Sequence, residues 1–439
     1  MIGQSEQIFT VTARAQRARD AARVLATLTT EQRNAILSAA ADAIEARRDE
    51  ILSANARDCA AAQTEVDAGR MAQAMFDRLR TSEKGVADMA RKVRDVAALP
   101  DPIRQTLAIT ELDEGLTLRK VSCPLGVIGI IFESRPDVAP QVGALCLKSG
   151  NAALLKGGRE AAETNAVLAD IWRAALIECG APADAAQLLH TREDVASMLQ
   201  LQGLIDLVIP RGSKEFVEHI MRASAIPVLG HGEGICHVYV DAAADFEKAW
   251  AITLDAKCNY PAACNAAETL LAHESIAERF LPEMVARLRA AGVEVRGCEL
   301  TQKLASGVRP ATESDWATEY GDLILSVRVV KDFAAAIAHI SLYGSHHTES
   351  IVTEDTAAAE RFMELIDAAG VYHNASTRFA DGFRYGFGAE VGISNAKLHA
   401  RGPVGLEGLT TYKYKLYGNG QTVAEYNAGE KTFKHRRLR

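Results

Sequence analysis

From Pro124 onward the sequence repeats one pattern, a short apolar run followed by a stretch with helical spacing. The runs at 125–132, 152–156, 204–209, 225–229 and 236–240 read as strands. The stretches at 137–148, 160–178 and 213–222 read as helices. A strand followed by a helix and another strand is a crossover unit, and crossovers make sheets mostly parallel. A second region of this kind begins after about Asp241. There 246–257 and 275–290 read as helices, and 269–272, 322–330, 350–353 and 370–374 as strands. The expected class is α/β with doubly wound sheets. Ligands of such sheets sit at the C-terminal ends of strands, so chemistry is sought at the junctions that follow each strand.

The remaining segments frame these units. Residues 1 to about 98 read as helices. Thr29 and Gln32 have capping-box spacing, and Ile36, Leu37, Ala40 and Ile44 follow on one face. The segments 106–112 and 116–122 alternate with period two around Asp113-Glu-Gly115, which predicts a hairpin. The stretch 409–416 alternates as strongly and is expected to extend it. Both are long and otherwise edge-exposed, which points to an interface in a homo-oligomer, dimer or tetramer. Glycines crowd the region from Gly382 to Gly408, where tight turns or close backbone approach are expected. The basic run from Lys431 to Arg439 reads as a solvated tail.

A chain of 439 residues is expected to hold two or three domains. Its net charge of -8 argues against a nucleic-acid partner. The start lacks the charged and apolar regions of a secretory signal, and no run approaches the ~18 apolar residues that span a bilayer. The eight cysteines form no CxxC pair and no metal spacing. That is a pattern of free cytoplasmic thiols. His346-His347 has no matching ligand spacing, so no metal is expected.

Five junctions carry residues suited to chemistry. Cys264 lies between small residues, after Pro261-Ala-Ala and before Asn265. A thiol with little bulk around it is open to a substrate, Asn265 offers an amide donor, and the Cys264 backbone N–H can stand beside an oxyanion. A buried packing cysteine would read the same in isolation; Cys258, within the helical part, is assigned to packing. Lys156-Gly-Gly-Arg159 follows one strand, where Lys156 can meet ribose hydroxyls and Arg159 a 2′-phosphate. It lacks GxGxxG, and a surface turn fits it as well. Gly212 and Ser213 follow another strand and cap a helix, which suits a pyrophosphate oxygen. Ser134 and Arg135 end the first strand; Arg135 before Pro136 is held extended and can clamp a phosphate or carboxylate, or serve a structural ion pair. Arg401, in His399-Ala-Arg-Gly-Pro403, can meet an anionic substrate, while His399 is discounted as a loop histidine.

Taken together the chain resembles the aldehyde dehydrogenase superfamily over nearly its whole length. The most specific segments are Pro124-Leu-Gly-Val-Ile-Gly-Ile-Ile-Phe-Glu-Ser-Arg-Pro136, Pro261-Ala-Ala-Cys-Asn-Ala-Ala-Glu-Thr-Leu-Leu271, Tyr385-Gly-Phe-Gly-Ala-Glu-Val-Gly-Ile-Ser394 and His399-Ala-Arg-Gly-Pro-Val-Gly-Leu-Glu-Gly-Leu-Thr-Thr-Tyr-Lys413. The resemblance implies two Rossmann-like domains plus an oligomerisation element built from the hairpin and the C-terminal strand. Residues 1–104 and 123–241 would bind the cofactor, 242–404 would be catalytic, and 105–122 with 405–439 would mediate assembly. It implies that Cys264 is a nucleophile, that Lys156 and the Gly212-Ser213 turn contact the cofactor, and that Glu319 holds the nicotinamide ribose.

Two departures from the oxidising members stand out. The segment Val228-Leu-Gly-His-Gly-Glu-Gly234 has an apolar residue where those enzymes carry a water-activating Glu. Ser134 or Arg135 stands where they carry an oxyanion Asn. A thiol without a water-activating partner suits reduction of an acyl phosphate, and Arg159 suits NADPH. The implied activity is NADPH-dependent reduction of L-glutamate 5-phosphate to L-glutamate 5-semialdehyde in proline biosynthesis, through a thioester. Lys257 is a candidate for substrate contact and for lowering the thiol pKa. Another acyl-phosphate or acyl-thioester reductase, or a non-catalytic protein on the same fold, remain open alternatives. A separate glutamate 5-kinase is expected to supply the substrate, since no kinase segment precedes residue 1.

Overall fold

The computed structural model of the chain describes residues 10–230 and 232–439. They form two compact units. One runs to Leu229 and takes in Phe387–Gly392 and Val404–Arg439; the other is Gly230–Gly386 with Ile393–Pro403. Among the described residues no helix is long and apolar enough to cross a membrane.

The first unit opens with the expected helices, Val11–Leu25, Thr30–Ala46, Arg48–Asp67, Gln73–Leu79 and Glu83–Ala98. The capping box forms: Gln32 N–H donates to Thr29 Oγ1 at 3.2 Å and Thr29 N–H to Gln32 Oε1 at 2.8 Å. Ile36, Leu37, Ala40 and Ile44 are all buried. The hairpin follows as β1 (Thr106–Asp113) and β2 (Leu116–Pro124), paired antiparallel. Next come β3 (Val127–Phe132), β4 (Ala152–Lys156), β5 (Ala186–Leu188) and β6 (Leu207–Arg211), a four-stranded sheet in the order β5-β4-β3-β6. All its pairings are parallel. Residues 225–229, read as a strand, make only one bridge, Val208 to Val228. Pro227 has no N–H to donate, so the ladder does not propagate.

The second unit contains β7 (Cys236–Val240), β8 (Ala267–His273), β9 (Glu294–Gly297), β10 (Arg309–Pro310), β11 (Ile324–Val330), β12 (Thr348–Val352) and β13 (Gly370–His373). They form a seven-stranded sheet in the order β10-β9-β11-β8-β7-β12-β13. The strand at 236–240, grouped on sequence with the first unit, pairs here with β8 and β12, so the boundary falls after Leu229 rather than at 241. Two short strands, β14 (Ile393–Ser394) and β15 (Gly402–Pro403), pair with each other. The chain then returns to the first unit. β16 (Thr410–Tyr417) pairs with β2, and β17 (Arg436–Arg437) with β1, giving the order β16-β2-β1-β17. The basic tail is therefore not simply solvated. Arg436 lies opposite Glu111 and its guanidinium reaches that carboxylate at 2.6 Å.

The core of the second unit sets the helix that leads to Cys264. Phe246 and Trp250 lie on the helix Phe246–Cys258 and pack on Phe280 of the helix Glu274–Ala290. Ring centroids are 5.5 Å apart for Phe246–Phe280 and 6.3 Å for the stacked Trp250–Phe280 pair. Phe280 is fully buried among Leu281, Met284, Val285, Leu270 and Val238. Phe280→Ala is expected to destabilise the protein by about 3–5 kcal/mol, read from chemical denaturation.

Candidate active site

In the first unit β3 is flanked by β4 on one side and β6 on the other, so the strand order reverses between β3 and β6. Such reversals open a crevice beyond the strand ends. Residues from three strand ends gather there. Lys156, the last residue of β4, is 9 % exposed. Its ammonium has no hydrogen-bond or ion-pair partner among the described residues. Burial pushes its pKa down, with Glu160 pulling the other way. A partly desolvated cation with no carboxylate in ion-pair contact, at a ligand edge, fits a sugar hydroxyl or a phosphate. Arg159 is exposed in the turn Arg159–Ala161.

The other two junctions hold carboxylates of the chain itself. Ser213 Oγ accepts from Phe216 N–H at 3.4 Å and caps the helix Lys214–Ala223, as its sequence predicts. Its N–H, expected to face a pyrophosphate, donates instead to Glu133 Oε2 at 3.0 Å. A Cβ at Gly212 would stand 2.3 Å from that same oxygen, so only glycine lets the carboxylate in so close. Ser134 is buried with φ 37°, and both its N–H and its Oγ donate to Glu160 Oε1 at 2.7 Å. Arg135 beside it is half-buried.

In the second unit the helix Phe246–Cys258 stops at Asn259, and Tyr260 takes the left-handed conformation with φ 63° before Pro261. A non-glycine residue there is strained, and such strain clusters at functional sites. Ala263 N–H donates to Tyr260 O at 3.1 Å and Ala266 N–H to Ala263 O at 2.8 Å. Cys264 thus sits on a tight turn between helix and β8, and it is half-buried. Its carbonyl accepts from Cys236 Sγ at 3.4 Å. Burial, reinforced by Glu349 and Cys264, pushes the Cys236 thiol well above its ordinary pKa, which keeps it a donor. Asn265 is buried and one of its amide hydrogens goes to Ala380 O at 2.8 Å. Its expected role as an amide donor therefore competes with a structural bond.

Around this turn lies a ring of polar contacts. Lys257 is fully buried and donates to Glu268 Oε2 at 2.6 Å, so the substrate contact expected of it is replaced by an internal ion pair. The pair joins the helix before Cys264 to the strand after it. Glu268 Oε1 accepts from Gly321 N–H at 3.3 Å, and Glu319 Oε2 accepts from Gly234 N–H at 3.1 Å. Gly234 in turn abuts the Cys264 backbone: a Cβ there would meet the carbonyl oxygen at 1.9 Å. Burial pushes the Glu268 carboxyl up to about 7, against the pull of Lys257. The neighbouring His231 lies outside the described residues.

Arg401, expected to meet an anionic substrate, is bound to Asp367 at 2.9 Å, and Lys397 shares that carboxylate at 2.5 Å. Those cations together hold Asp367 down at about 2. A paired guanidinium is a poor free anion clamp. His346 and His347 turn to separate partners, Asp367 O and Thr348 Oγ1. The structure also brings in residues that the sequence reading passed over: Glu268, Gly234, Cys236 and Arg378. Gly234 had a local signal in its glycine-rich segment, and Glu268 in its place four residues after Cys264. The others reach the turn through sheet pairing or distant loops.

Comparison with known proteins adds the following. The aldehyde dehydrogenase family model matches residues 4–302. The chain is 54 % identical to the gamma-glutamyl phosphate reductase of Haloquadratum walsbyi, over 95 % of this chain and 93 % of the relative. It is 52 % identical to gamma-glutamyl phosphate reductase 1 of Synechocystis sp., over 96 % of each. The crystal structure of the gamma-glutamyl phosphate reductase of Thermotoga maritima superposes with a TM-score of 0.91 at 42 % identity, covering 94 % of this chain and all of the other.

Gly234→Ala should displace the Cys264 turn and lower reaction at this thiol by roughly 10²-fold, read as kcat/KM with the circular dichroism spectrum unchanged. Glu268 also makes stability depend on pH. Unfolded it titrates near 4.5, and folded near 7. The folded state thus favours its protonated form, and its contribution is complete below pH 4.5 and lost as pH rises through about 7. Glu268→Gln should flatten that part of the profile, read as denaturation midpoints between pH 4.5 and 8.

Proposed function

We propose that this chain, which belongs to the aldehyde dehydrogenase family, reduces L-glutamate 5-phosphate to L-glutamate 5-semialdehyde and inorganic phosphate with NADPH, a step of proline biosynthesis. The observation that carries the reading is Cys264 itself. It is a half-buried thiol on a tight, strained turn, in a chain more than half identical to reductases of that substrate.

Cys264 thiolate attacks the acyl carbon, the carbon–oxygen bond to phosphate breaks, and phosphate leaves with the electron pair. A thioester remains. The backbone N–H of Cys264 meets the negative oxygen that develops at each addition. The nicotinamide, when bound, supplies the hydride. The carbon–sulfur bond then breaks, the thiolate is regenerated and the semialdehyde departs. Asn265, anchored to Ala380, keeps the turn in place during these steps.

Lys156 would hold ribose hydroxyls, Arg159 the 2′-phosphate that distinguishes NADPH, and Glu319 the nicotinamide ribose. A pyrophosphate at Gly212 and Ser213 would take the N–H that Glu133 now accepts. Ser134 and Arg135 offer contacts to the phosphorylated substrate. The acyl phosphate is labile, so a glutamate 5-kinase supplies it in the same compartment, the cytoplasm. The exposed Tyr412, Tyr414, Leu416 and Tyr417 on β16 suit pairing with a second copy in a homo-oligomer.

The test runs the reaction backwards. Glutamate semialdehyde should reduce NADP only when inorganic phosphate is present. Cys264→Ala should lower this rate by on the order of 10⁶-fold, while NADPH binding, followed by fluorescence, is retained. Reduction without phosphate, or a demand for coenzyme A in its place, would overturn the assignment of substrate. Substantial activity in Cys264→Ala would overturn that of the nucleophile.

A further inference from the structure

Next to the Cys264 turn lies a group of buried polar atoms that lack partners. Arg378 is 7 % exposed, yet its Nε has no hydrogen-bond acceptor. Among the described residues no carboxylate lies within ion-pair distance of its guanidinium. Thr377 is fully buried, and its hydroxyl is also without a partner. Asn265, 4 % exposed, donates from its amide to Ala380 O but leaves Oδ1 unsatisfied. Arg378 and Thr377 belong to the short turn Thr377–Phe379, which the Asn265 bond ties to the residue after Cys264.

Charge sharpens the picture. Arg384 donates from its own guanidinium to the Arg378 carbonyl, so a second cation stands over the same turn. Burial holds the Arg378 guanidinium below its ordinary pKa and Arg384 adds to that, while Cys264 is the first of the groups that oppose it. Buried charges in proteins are paired, and an orphaned buried donor costs about 1–3 kcal/mol. A guanidinium and a hydroxyl left without an acceptor together, beside the Cys264 turn, are the outline of an anionic occupant, while Asn265 Oδ1 is an acceptor and takes no part in it. The cations the sequence offered do not meet this need in the second unit: Arg401 is neutralised by Asp367 and Lys257 by Glu268.

We propose that Arg378, with the Thr377 hydroxyl, binds an oxyanion of the substrate beside Cys264. The inference rests on Cys264 being the nucleophile, and Arg378 would be a substrate-binding residue. The forked guanidinium suits two oxygens of one group. The substrate carries two such groups, the phosphoryl end and the amino-acid carboxylate.

The experiment follows alkylation of Cys264 by iodoacetamide in the full chain, by mass spectrometry of its peptide, with inorganic phosphate or L-glutamate added. One of the two should slow alkylation of the wild type. That protection should vanish in Arg378→Gln, persist in part in Arg378→Lys, which keeps the charge but loses the fork, and weaken in Thr377→Val. Protection by phosphate assigns the phosphoryl end, and protection by glutamate the carboxylate end. In the reverse reaction, KM for phosphate (if phosphate protects) or for glutamate semialdehyde (if glutamate protects) should rise roughly 10–100-fold in Arg378→Gln with little change in kcat. Thr377→Val is the control should Arg378→Gln fail to fold. The proposal falls if neither anion protects the wild type, or if protection survives in both Arg378→Gln and Thr377→Val. Protection needs no turnover, so absence of phosphate-dependent NADP reduction with protection intact would sink the proposed activity alone.

Discussion

A buried ion pair closes the loop that carries Cys264. Lys257 and Glu268 stand on the two elements that flank Cys264, and both are shut off from water. Such a pair contributes little net stability, because removing both charges from water costs about what their attraction returns. What it contributes is uniqueness. An ammonium in an apolar interior has one acceptable place, against its carboxylate, so the helix end and the strand start cannot slide past each other. The same carboxylate takes the Gly321 N–H, which ties the turn bearing Glu319 to the thiol loop. Through Gly234 that turn leans on the Cys264 backbone in its turn. The thiol is held by a closed circuit of contacts rather than by any single bond.

The parts legible in the sequence were those governed by local periodicity. The strand read at 152–156 is Ala152–Lys156, and the helix read at 275–290 begins one residue earlier, at Glu274. The capping box at Thr29 needed only four neighbouring residues to declare itself. Where one residue decides, local reading failed: Pro227 ended a strand that hydrophobicity promised. The basic tail looked solvated because charge runs usually are, yet Glu111 on a distant strand gives Arg436 a partner.

The turn that holds Cys264 was legible in the sequence, and the electrostatics around it much less so. Lys257 lies close to Cys264 in sequence, which made it look like a cation for the substrate. On the helix its side chain points inward, toward a carboxylate on the following strand. Arg378 does the reverse. Nothing in its local sequence marks it, and the bond that brings its turn to the thiol loop joins residues 115 positions apart. Burial and lack of a partner, the two properties that single it out, exist only after folding. In the first unit, too, the strand-end positions were readable but their partners were not. Glu133 accepts the Ser213 N–H expected to face a pyrophosphate, and Glu160 accepts from Ser134, expected to meet the substrate.

The C-terminal strand β17 has an effect out of proportion to its size. By pairing with Thr110 and Glu111 of β1 it covers the middle of one border of the hairpin sheet, while β16 leaves the opposite border open among the described residues. A sheet open on both borders can accept a neighbour on each and grow without limit, the geometry of a fibre. A sheet open on one border accepts a single neighbour and is then complete. Two residues near the end of the chain, with the flanking bonds to Ile109 and Leu112, thus tie up main-chain groups of β1 that would otherwise stand open.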